Sequence, residues 1–265
     1  MTGVQTCALP IFGAVERATG RETIKKLYLE HQAKDWSGAG FFETSIKALS
    51  LELRYDADRL ARWPREGPLL VVANHPFGVL DGIILCALIE RVRTDFLALT
   101  NAVLLRAPEM RARMLPIDLS DTSQAARKNA ASRAGALAHL RGGGSMLMFP
   151  AGAMATSPDR WGRSPAQDMP WTPFVARLAR EARCSIAPVF FHGQNSRLFQ
   201  IVSHINQNLR LALFFHEVRR RIGTAFPIEI GEVVAFDEFA GLADRAALTA
   251  ELRRRVLSLS QPRPR

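Results

Sequence analysis

The segment LLVVANHPFGVLDG, residues 69–82, carries the strongest structural signal in the chain. Its first five residues form a short apolar run between Pro68 and Asn74, which predicts a strand that is buried on both faces. Such strands are typical of the centre of a parallel sheet covered by helices. Asn74 and His75 would then emerge at the carboxyl edge of the sheet, where open α/β folds bind their ligands.

Strand and helix patterns alternate along the rest of the chain. We predict further strands at 51–55, 95–99, 114–119, 145–149 and 185–191, and an edge strand at 227–230. We predict helices from Asp81 to about residue 92 and at 123–140, 171–182, 206–221 and 242–259. This alternation favours the α/β class: a single domain with a mostly parallel central sheet flanked by helices.

The sequence divides into four parts. Residues 12–50 are an N-terminal helical segment, two helices separated at 38–40 and packed on the sheet, and residues 51–260 form the α/β domain. The tail at 261–265 is expected to be disordered. Residues 1–11, MTGVQTCALPI, resemble the read-through translation of a sequencing-adaptor oligonucleotide and are excluded from the fold prediction; the alternative, a signal peptide, lacks its basic start and its cleavage site.

Composition excludes several classes of protein. Of the 265 residues, 48% are hydrophobic and 23% are charged, which is typical of a globular chain. The longest apolar run, at 79–88, is interrupted by Asp81 and falls short of the ~18 residues that a membrane span needs. Cys7, Cys86 and Cys184 have no metal-binding spacing, so we expect no disulfide framework and a cytoplasmic location.

The net charge of +10 indicates an anionic partner, for which lipid headgroups, phosphorylated substrates and nucleic acid are all candidates. A basic surface that only keeps the protein soluble is the alternative. The helix predicted at 206–221 ends in Arg219, Arg220 and Arg221. We expect its apolar positions to be core and this arginine cluster, extended by 253–255, to face lipid; a cluster favoured only by the helix dipole is the competing interpretation.

His75 and Asp81 are the candidate catalytic residues. An imidazole titrates near neutral pH and can accept a proton from an alcohol, and a carboxylate on its other ring nitrogen fixes the tautomer. Five residues separate the two, and a loop containing Gly78 could fold back so that they meet. The structural alternative is that Asp81 only caps its helix and His75 is an incidental loop residue.

This motif resembles the first motif of the glycerol-3-phosphate and lysophospholipid (1-acylglycerol-3-phosphate) acyltransferase superfamily. Most members have four residues between the His and the Asp, and the NHPxGxxDG form with five resembles the bacterial branch described as hemolysin-like. SMLMFPAG at 145–152 is similar to the third motif, 171–182 to the helix after it, and IAPVFFHG at 186–193 to the fourth. This ordered set covers roughly residues 66–235.

The resemblance implies further site residues. Beside the pair His75 and Asp81, it places six residues at the substrate: Asn74, Gly78, Phe149, Pro150, Gly152 and Arg160. The third motif departs from the family, because Ala151 and Ala153 occupy positions where many members have acidic and then basic residues. Arg160 and its neighbours Thr156, Ser157 and Arg163 could replace the missing arginine, or the acceptor is not lysophosphatidic acid.

The implied function is transfer of a fatty acyl group to a hydroxyl of a lysophospholipid or related glycerolipid. The donor would be acyl-CoA or acyl-carrier protein, with no cofactor and no metal. Amide N–H groups near Gly152 or Asn74 would bind the oxyanion, and Phe77, Leu80, Phe149 and Phe190 would line an acyl groove. The enzyme would be a peripheral protein of the bacterial inner membrane that binds its anionic surface and no nucleic acid.

Three other functions remain open from the sequence. An N-acyltransferase acting on an aminolipid could use the same base. A non-catalytic protein that binds anionic lipid or nucleic acid would need only the charge, and a hydrolase would need a site open to water. His192, at the end of a predicted strand, is expected to be a structural histidine.

Overall fold

Seven strands form one sheet in this computed structural model, which describes residues 20–32, 40–102, 108–118, 120–239, 241–242 and 244–261. The strands are β1 Glu52–Arg54, β2 Leu69–Ala73, β3 Phe96–Asn101, β4 Met114–Ile117, β5 Ser145–Met148, β6 Ser185–Phe191 and β7 Ala225–Ile230. Their order is β1-β7-β6-β2-β5-β3-β4, with β2 at the centre. Every pairing is parallel except that of β6 with β7.

Helices cover both faces of this sheet. In chain order they are α1 Arg21–Gln32, α2 Phe41–Ala48, α3 Ala57–Ala61, α4 Val79–Glu90, α5 Ser123–Arg141, α6 Phe174–Ala182, α7 Arg197–Ser203, α8 Gln207–Ala212, α9 Phe214–Arg221 and α10 Arg245–Ser258. Short 3-10 helices lie at Pro108–Arg113 and Phe236–Phe239. Among the described helices, none has both the length and the apolar character that crossing a bilayer requires.

The central strand is buried on both sides, as its sequence predicts. All five residues of β2 are fully inaccessible to solvent. Leu69, Val71 and Ala73 belong to the core cluster shared with α2 and α4, whereas Leu70 and Val72 belong to the cluster shared with α5, α6 and α10. The predicted single α/β domain with a mostly parallel sheet is confirmed.

The N-terminal helices share the core of the sheet domain. Phe41, Phe42 and Ile46 of α2 are buried in the same cluster as α4 and β2, so residues 40–50 pack on the sheet as predicted. The adaptor-like residues 1–11 and the last four residues, 262–265, lie outside the described part of the chain. Cys86 and Cys184 are free and buried.

Two predicted elements differ from the structure, and one helix was not predicted. Strand β7 is not an edge strand, because β1 pairs along its outer side from Glu52 to Arg54. Pro227 can occupy this inner position because it lies opposite Arg54, the last residue of β1. The single helix predicted at 206–221 is broken at Leu213 into α8 and α9, and α7 was not predicted.

Candidate active site

Asn74 fixes the end of the central strand. Its side-chain Nδ2 donates to the carbonyl of Phe191 at 2.9 Å, and its Oδ1 accepts the N–H of Phe191 at 2.7 Å. This pair of hydrogen bonds ties the carboxyl end of β2 to that of β6. Asn74 is 7% exposed, so its observed role is to position the residue that follows it, not to present a polar group to a ligand.

His75 is held from both sides by one stretch of chain. Its N–H donates to Asp168 Oδ1 at 3.0 Å, and its carbonyl accepts the N–H of Ala155 at 2.8 Å. The imidazole stacks on the ring of Phe149 with 4.0 Å between centroids. These contacts hold the ring in position, and because the side chain is 18% exposed, part of it still reaches solvent.

The structure brings the two predicted catalytic side chains together. His75 Nδ1 lies 3.1 Å from Asp81 Oδ2. The same oxygen accepts the N–H groups of Phe77 at 2.7 Å and Gly78 at 2.9 Å, the two residues just before α4. Asp81 therefore caps its helix and pairs with His75 at once, and α4 begins at Val79, two residues before the predicted start. The ring nitrogen Nε2 is the one left for a substrate.

Burial sets the electrostatics of this pair. Asp81 is fully buried, which raises the pKa of its carboxyl, while hydrogen bonds from His75, Phe77 and Gly78 oppose that shift. Its second oxygen, Oδ1, has no hydrogen-bond partner among the described residues. A buried carboxylate of this kind stabilises a positive charge next to it, so it favours the imidazolium that forms when Nε2 takes a proton.

Gly78 makes the tight loop possible. Its φ of 77° lies in the left-handed region that favours glycine, and an added Cβ would come within 2.5 Å of Met154 Sδ. We expect Gly78→Ala to lower the free energy of unfolding by about 1–3 kcal/mol. Urea denaturation would measure this, with Gly82→Ala as the matched control. Gly82 lies inside α4 with no atom near its Cβ position, so that variant should gain about 0.5–1 kcal/mol; equal effects would contradict the loop strain.

Sequence reasoning missed a second buried carboxylate. Asp168 accepts the N–H of His75 with Oδ1, and its Oδ2 accepts Trp171 Nε1–H at 3.1 Å. Burial raises the pKa of Asp168, and these two hydrogen bonds oppose the shift. Asp168 is thus a positioning residue that holds the backbone of His75. The hint in the sequence is weak: an aspartate three residues before a tryptophan, in a segment without periodicity.

The other predicted site residues do not all lie at His75. Phe149 contacts the imidazole directly, and Pro150 follows it with a carbonyl that accepts the N–H of Thr172 at 2.9 Å. Gly152 lies exposed in the turn that this segment makes, with φ 69°. Arg160 is also exposed, and its guanidinium group lies over the ring of its neighbour Trp161. The structure thus places Phe149 at His75 and turns Arg160 to the surface.

The expected oxyanion donors are occupied. The N–H of Gly152 donates to the carbonyl of Phe149 at 3.0 Å. In the loop after Asn74, the N–H groups of His75, Phe77 and Gly78 donate to Asp168 and Asp81, and Pro76 has none. These amides therefore already have acceptors in the structure, and an oxyanion donor near Gly152 or in the Asn74 loop stays a prediction.

An apolar pocket adjoins the stacked rings. Phe149 forms part of its wall, and the pocket is small, with a volume of about 30 Å³. The rest of the lining comes from α4, β3, β5 and the residues next to β4, including Val79, Ile83, Cys86, Leu99 and Met110. Of the four residues expected to line an acyl groove, Phe149 alone lies here.

The other three expected groove residues are placed elsewhere. Phe77 is 2% exposed and packs against Phe226, and Leu80 is 1% exposed in the same core cluster. Phe190 packs against the other face of the sheet beside His192. The residues of α4 that border the pocket, such as Val79, Ile83 and Cys86, alternate in sequence with others such as Leu80 that do not, and the apolar sequence alone does not separate the two.

Comparison with known proteins gives a consistent result. A family model described as acyltransferase matches residues 22–253. A lyso-glycine lipid O-acyltransferase of Bacteroides thetaiotaomicron is 23% identical over 216 residues, which are 79% of this chain and 75% of that protein. Among solved structures, the 1-acyl-sn-glycerophosphate acyltransferase PlsC of Thermotoga maritima is similar in fold, with a TM-score of 0.54 and 15% identity over 94% of this chain and 86% of that one.

Proposed function

This chain belongs to the acyltransferase family, and we propose that it moves a fatty acyl group from a thioester to a hydroxyl of a lysolipid. The observation that carries the proposal is the contact between His75 Nδ1 and the buried Asp81, on a ring that stacks against the wall of an apolar pocket. A base with an oriented ring supplies the proton transfer that such a reaction needs, and the apolar wall beside it is a surface that a fatty chain can contact.

The reaction follows from this geometry as direct transfer. His75 Nε2 takes the proton of the acceptor hydroxyl as its oxygen attacks the thioester carbonyl. The carbon–sulfur bond then breaks, and the imidazolium returns the proton to the leaving thiolate. Asp81 keeps Nδ1 protonated and stabilises the transient positive charge. A positioned base of this kind contributes about 10²- to 10⁴-fold to the rate, and no acyl-enzyme is formed.

The acceptor is proposed to be a hydroxylated lysolipid whose headgroup need not be a phosphate. Ala151 and Ala153 carry no charge in the third motif, and Arg160 faces the surface. The relative that acts on a lyso-glycine lipid is named an O-acyltransferase, which supports a hydroxyl acceptor over the amine that an N-acyltransferase would use. A lysophospholipid stays a second candidate acceptor, supported by the likeness in fold to PlsC.

The donor is proposed to be acyl-CoA or acyl-carrier protein, and the place of action the cytoplasmic side of the inner membrane. Both donors present a thioester to His75. Neither needs a cofactor or a metal ion in this mechanism, since the imidazole and the carboxylate supply the proton transfer.

Product analysis tests the proposal. The purified protein would be incubated with labelled acyl-CoA or acyl-carrier protein and with lyso-glycine lipid or lysophosphatidic acid, and the products identified by mass spectrometry. We expect a new acyl lipid that mild alkali cleaves, because an ester is alkali-labile and an amide is not. An alkali-stable product would instead establish N-acylation. Free fatty acid as the main product would establish a hydrolase, and either outcome would overturn the proposal.

A further inference from the structure

Large apolar side chains are exposed together on one part of the surface. Trp161 is 50% exposed, Leu198 50%, Ile205 69% and Leu211 55%. They come from the loop before residue 164, from α7, from the link between α7 and α8, and from α8. Single exposed apolar residues are common, but several on segments that pack together mark a surface that binds something apolar.

Contacts bring together the segments that carry these residues. Arg197 Nε, at the start of α7, donates to the carbonyl of Trp161 at 2.9 Å. His204 Nε2 lies 2.8 Å from the carbonyl of Ser157, which fixes the end of α7 to the start of the same loop. Helix α8 in turn packs against α7. We call this surface the docking face and define it by Trp161, Leu198, Ile205 and Leu211 with the exposed Arg160, Arg163 and Arg197.

The docking face is basic as well as apolar. Arg160 stacks over Trp161 at 5.0 Å, an arrangement suited to the boundary between headgroups and acyl chains. The one carboxylate in the loop 158–164, that of Asp159, accepts the N–H groups of Trp161, Arg163 and Ser164. Residues 195–216 contain no Asp or Glu. The face therefore complements an anionic surface.

The docking face is also joined to the catalytic histidine. Thr156 and Gln167 exchange two backbone hydrogen bonds of 3.0 Å, which close a hairpin with Trp161 near its tip. The residues just outside that bridge are Ala155 and Asp168, and both hold the backbone of His75. A surface bound at the tip of the hairpin is thus connected, through Ala155 and Asp168 where the hairpin begins and ends, to the backbone of His75.

We infer that the docking face seats the protein on an anionic lipid bilayer and so brings membrane lysolipid to His75; this rests on the proposed function. Burial of leucine and isoleucine side chains in the bilayer stabilises binding, and so does each arginine near an anionic surface. The arginine cluster predicted from sequence to face lipid is divided in the structure. Arg221 stacks over Phe77 at 4.4 Å, and Arg254 and Arg255 pair with Glu251. Arg219 and Arg220 are exposed, and their contact with lipid stays a prediction.

Vesicle sedimentation tests this inference. The full chain would be mixed with vesicles of phosphatidylcholine alone and with vesicles that also contain phosphatidylglycerol. We expect the double variant Ile205→Ser with Leu211→Ser to bind anionic vesicles at least about tenfold more weakly than the wild type. The triple variant with glutamine at 160, 163 and 197 should lose the preference for anionic vesicles.

Matched controls come from outside the docking face. Leu29 on α1 is 49% exposed, and Arg54 and Arg62 are exposed elsewhere; Leu29→Ser and a variant with glutamine at 54 and 62 should bind within about twofold of the wild type. Unchanged binding by the double variant, or an equal loss in the controls, would overturn the inference.

Activity separates this inference from the proposed function. On a water-soluble short-chain acceptor, the docking variants should turn over like the wild type, because His75 and Asp81 are untouched. Loss of turnover on that acceptor would show a folding defect or a catalytic role and would overturn the inference. If the wild type acylates no acceptor at all but its vesicle binding still depends on this face, the proposed function fails and the docking face stands.

Discussion

Asp81→Asn is expected to lower kcat about 10²- to 10⁴-fold while leaving the fold intact. Asparagine has nearly the same shape and can still accept the N–H groups of Phe77 and Gly78. It has no negative charge to hold His75 Nδ1 protonated or to stabilise the imidazolium. Turnover of a labelled thioester with a hydroxylated lysolipid would measure the loss, and circular dichroism would check the fold.

The pH dependence of stability tests whether the carboxyl group of Asp81 is buried in the folded protein. Because burial raises the pKa of Asp81, the folded state binds its proton more tightly than the unfolded state does. Ionisation of Asp81 therefore makes the folded wild type less stable as the pH rises from the usual aspartate range, near ~4, through the raised pKa. Asp81→Asn lacks this loss, so the free energy of unfolding of the variant, relative to wild type, should increase with pH.

Asp168→Asn is the matched control, since it alters the other buried carboxylate at the site. Its contact is with the backbone of His75 and not with the imidazole. The Oδ1 of asparagine can still accept that N–H, whereas the hydrogen bond from Trp171 Nε1–H is lost. We expect a loss in kcat below about tenfold. A larger effect at 168 than at 81 would contradict the assignment of Asp81 as the partner of the base.

The central strand and the catalytic pair could be predicted because their signals are local. An uninterrupted apolar run such as 69–73 requires cover on both faces, whatever the rest of the chain does. The pairing of His75 with Asp81 depends on a short loop, and Gly78 supplies the one backbone conformation that closes it. The observed φ of 77° and the 3.1 Å contact agree with that prediction.

What could not be predicted depends on distant parts of the chain. Asp168 and His75 are 93 residues apart, and no local pattern links them. The order of the strands, with β1 outside β7, is likewise set by pairing over about 170 residues of separation. Arg160 was assigned to the site by its nearness in sequence to the third motif, but the hairpin from 156 to 167 carries it to the surface.

Helix α7 is a different case, because its signal was present. Ser196 caps it by accepting the N–H of Phe199, and apolar residues recur at Leu198, Phe199, Ile201 and Val202. The spacing is helical, but the segment is only seven residues long. Its outward-facing apolar residue, Leu198, is part of the docking face. The shortness of the helix therefore explains why both the helix and this surface were missed.

His75→Ala is expected to have the largest effect of any single substitution. The variant loses the group that takes the acceptor proton, which corresponds to about 10²- to 10⁴-fold or more in rate. It also loses the stacking on Phe149 and one donor to Asp81, so we expect a decrease of about 1 kcal/mol in the free energy of unfolding. That change is too small to unfold a domain of ordinary stability.

His192→Ala provides the control for removing an imidazole from the same edge of the sheet. His192 follows β6, its ring is 34% exposed, and it lies 3.9 Å from Glu229 without contacting the pair His75 and Asp81. We expect this variant to keep its rate within about twofold. A loss comparable to that of His75→Ala would contradict the assignment of His75 as the one base among the two histidines.

The most direct measurement is transfer of a labelled acyl group from a thioester to a hydroxylated lysolipid in a single turnover, with wild type and His75→Ala side by side. The geometry predicts an alkali-labile lipid ester from the wild type and none above background from the variant. Equal ester formation by the two proteins would contradict a catalytic role for His75.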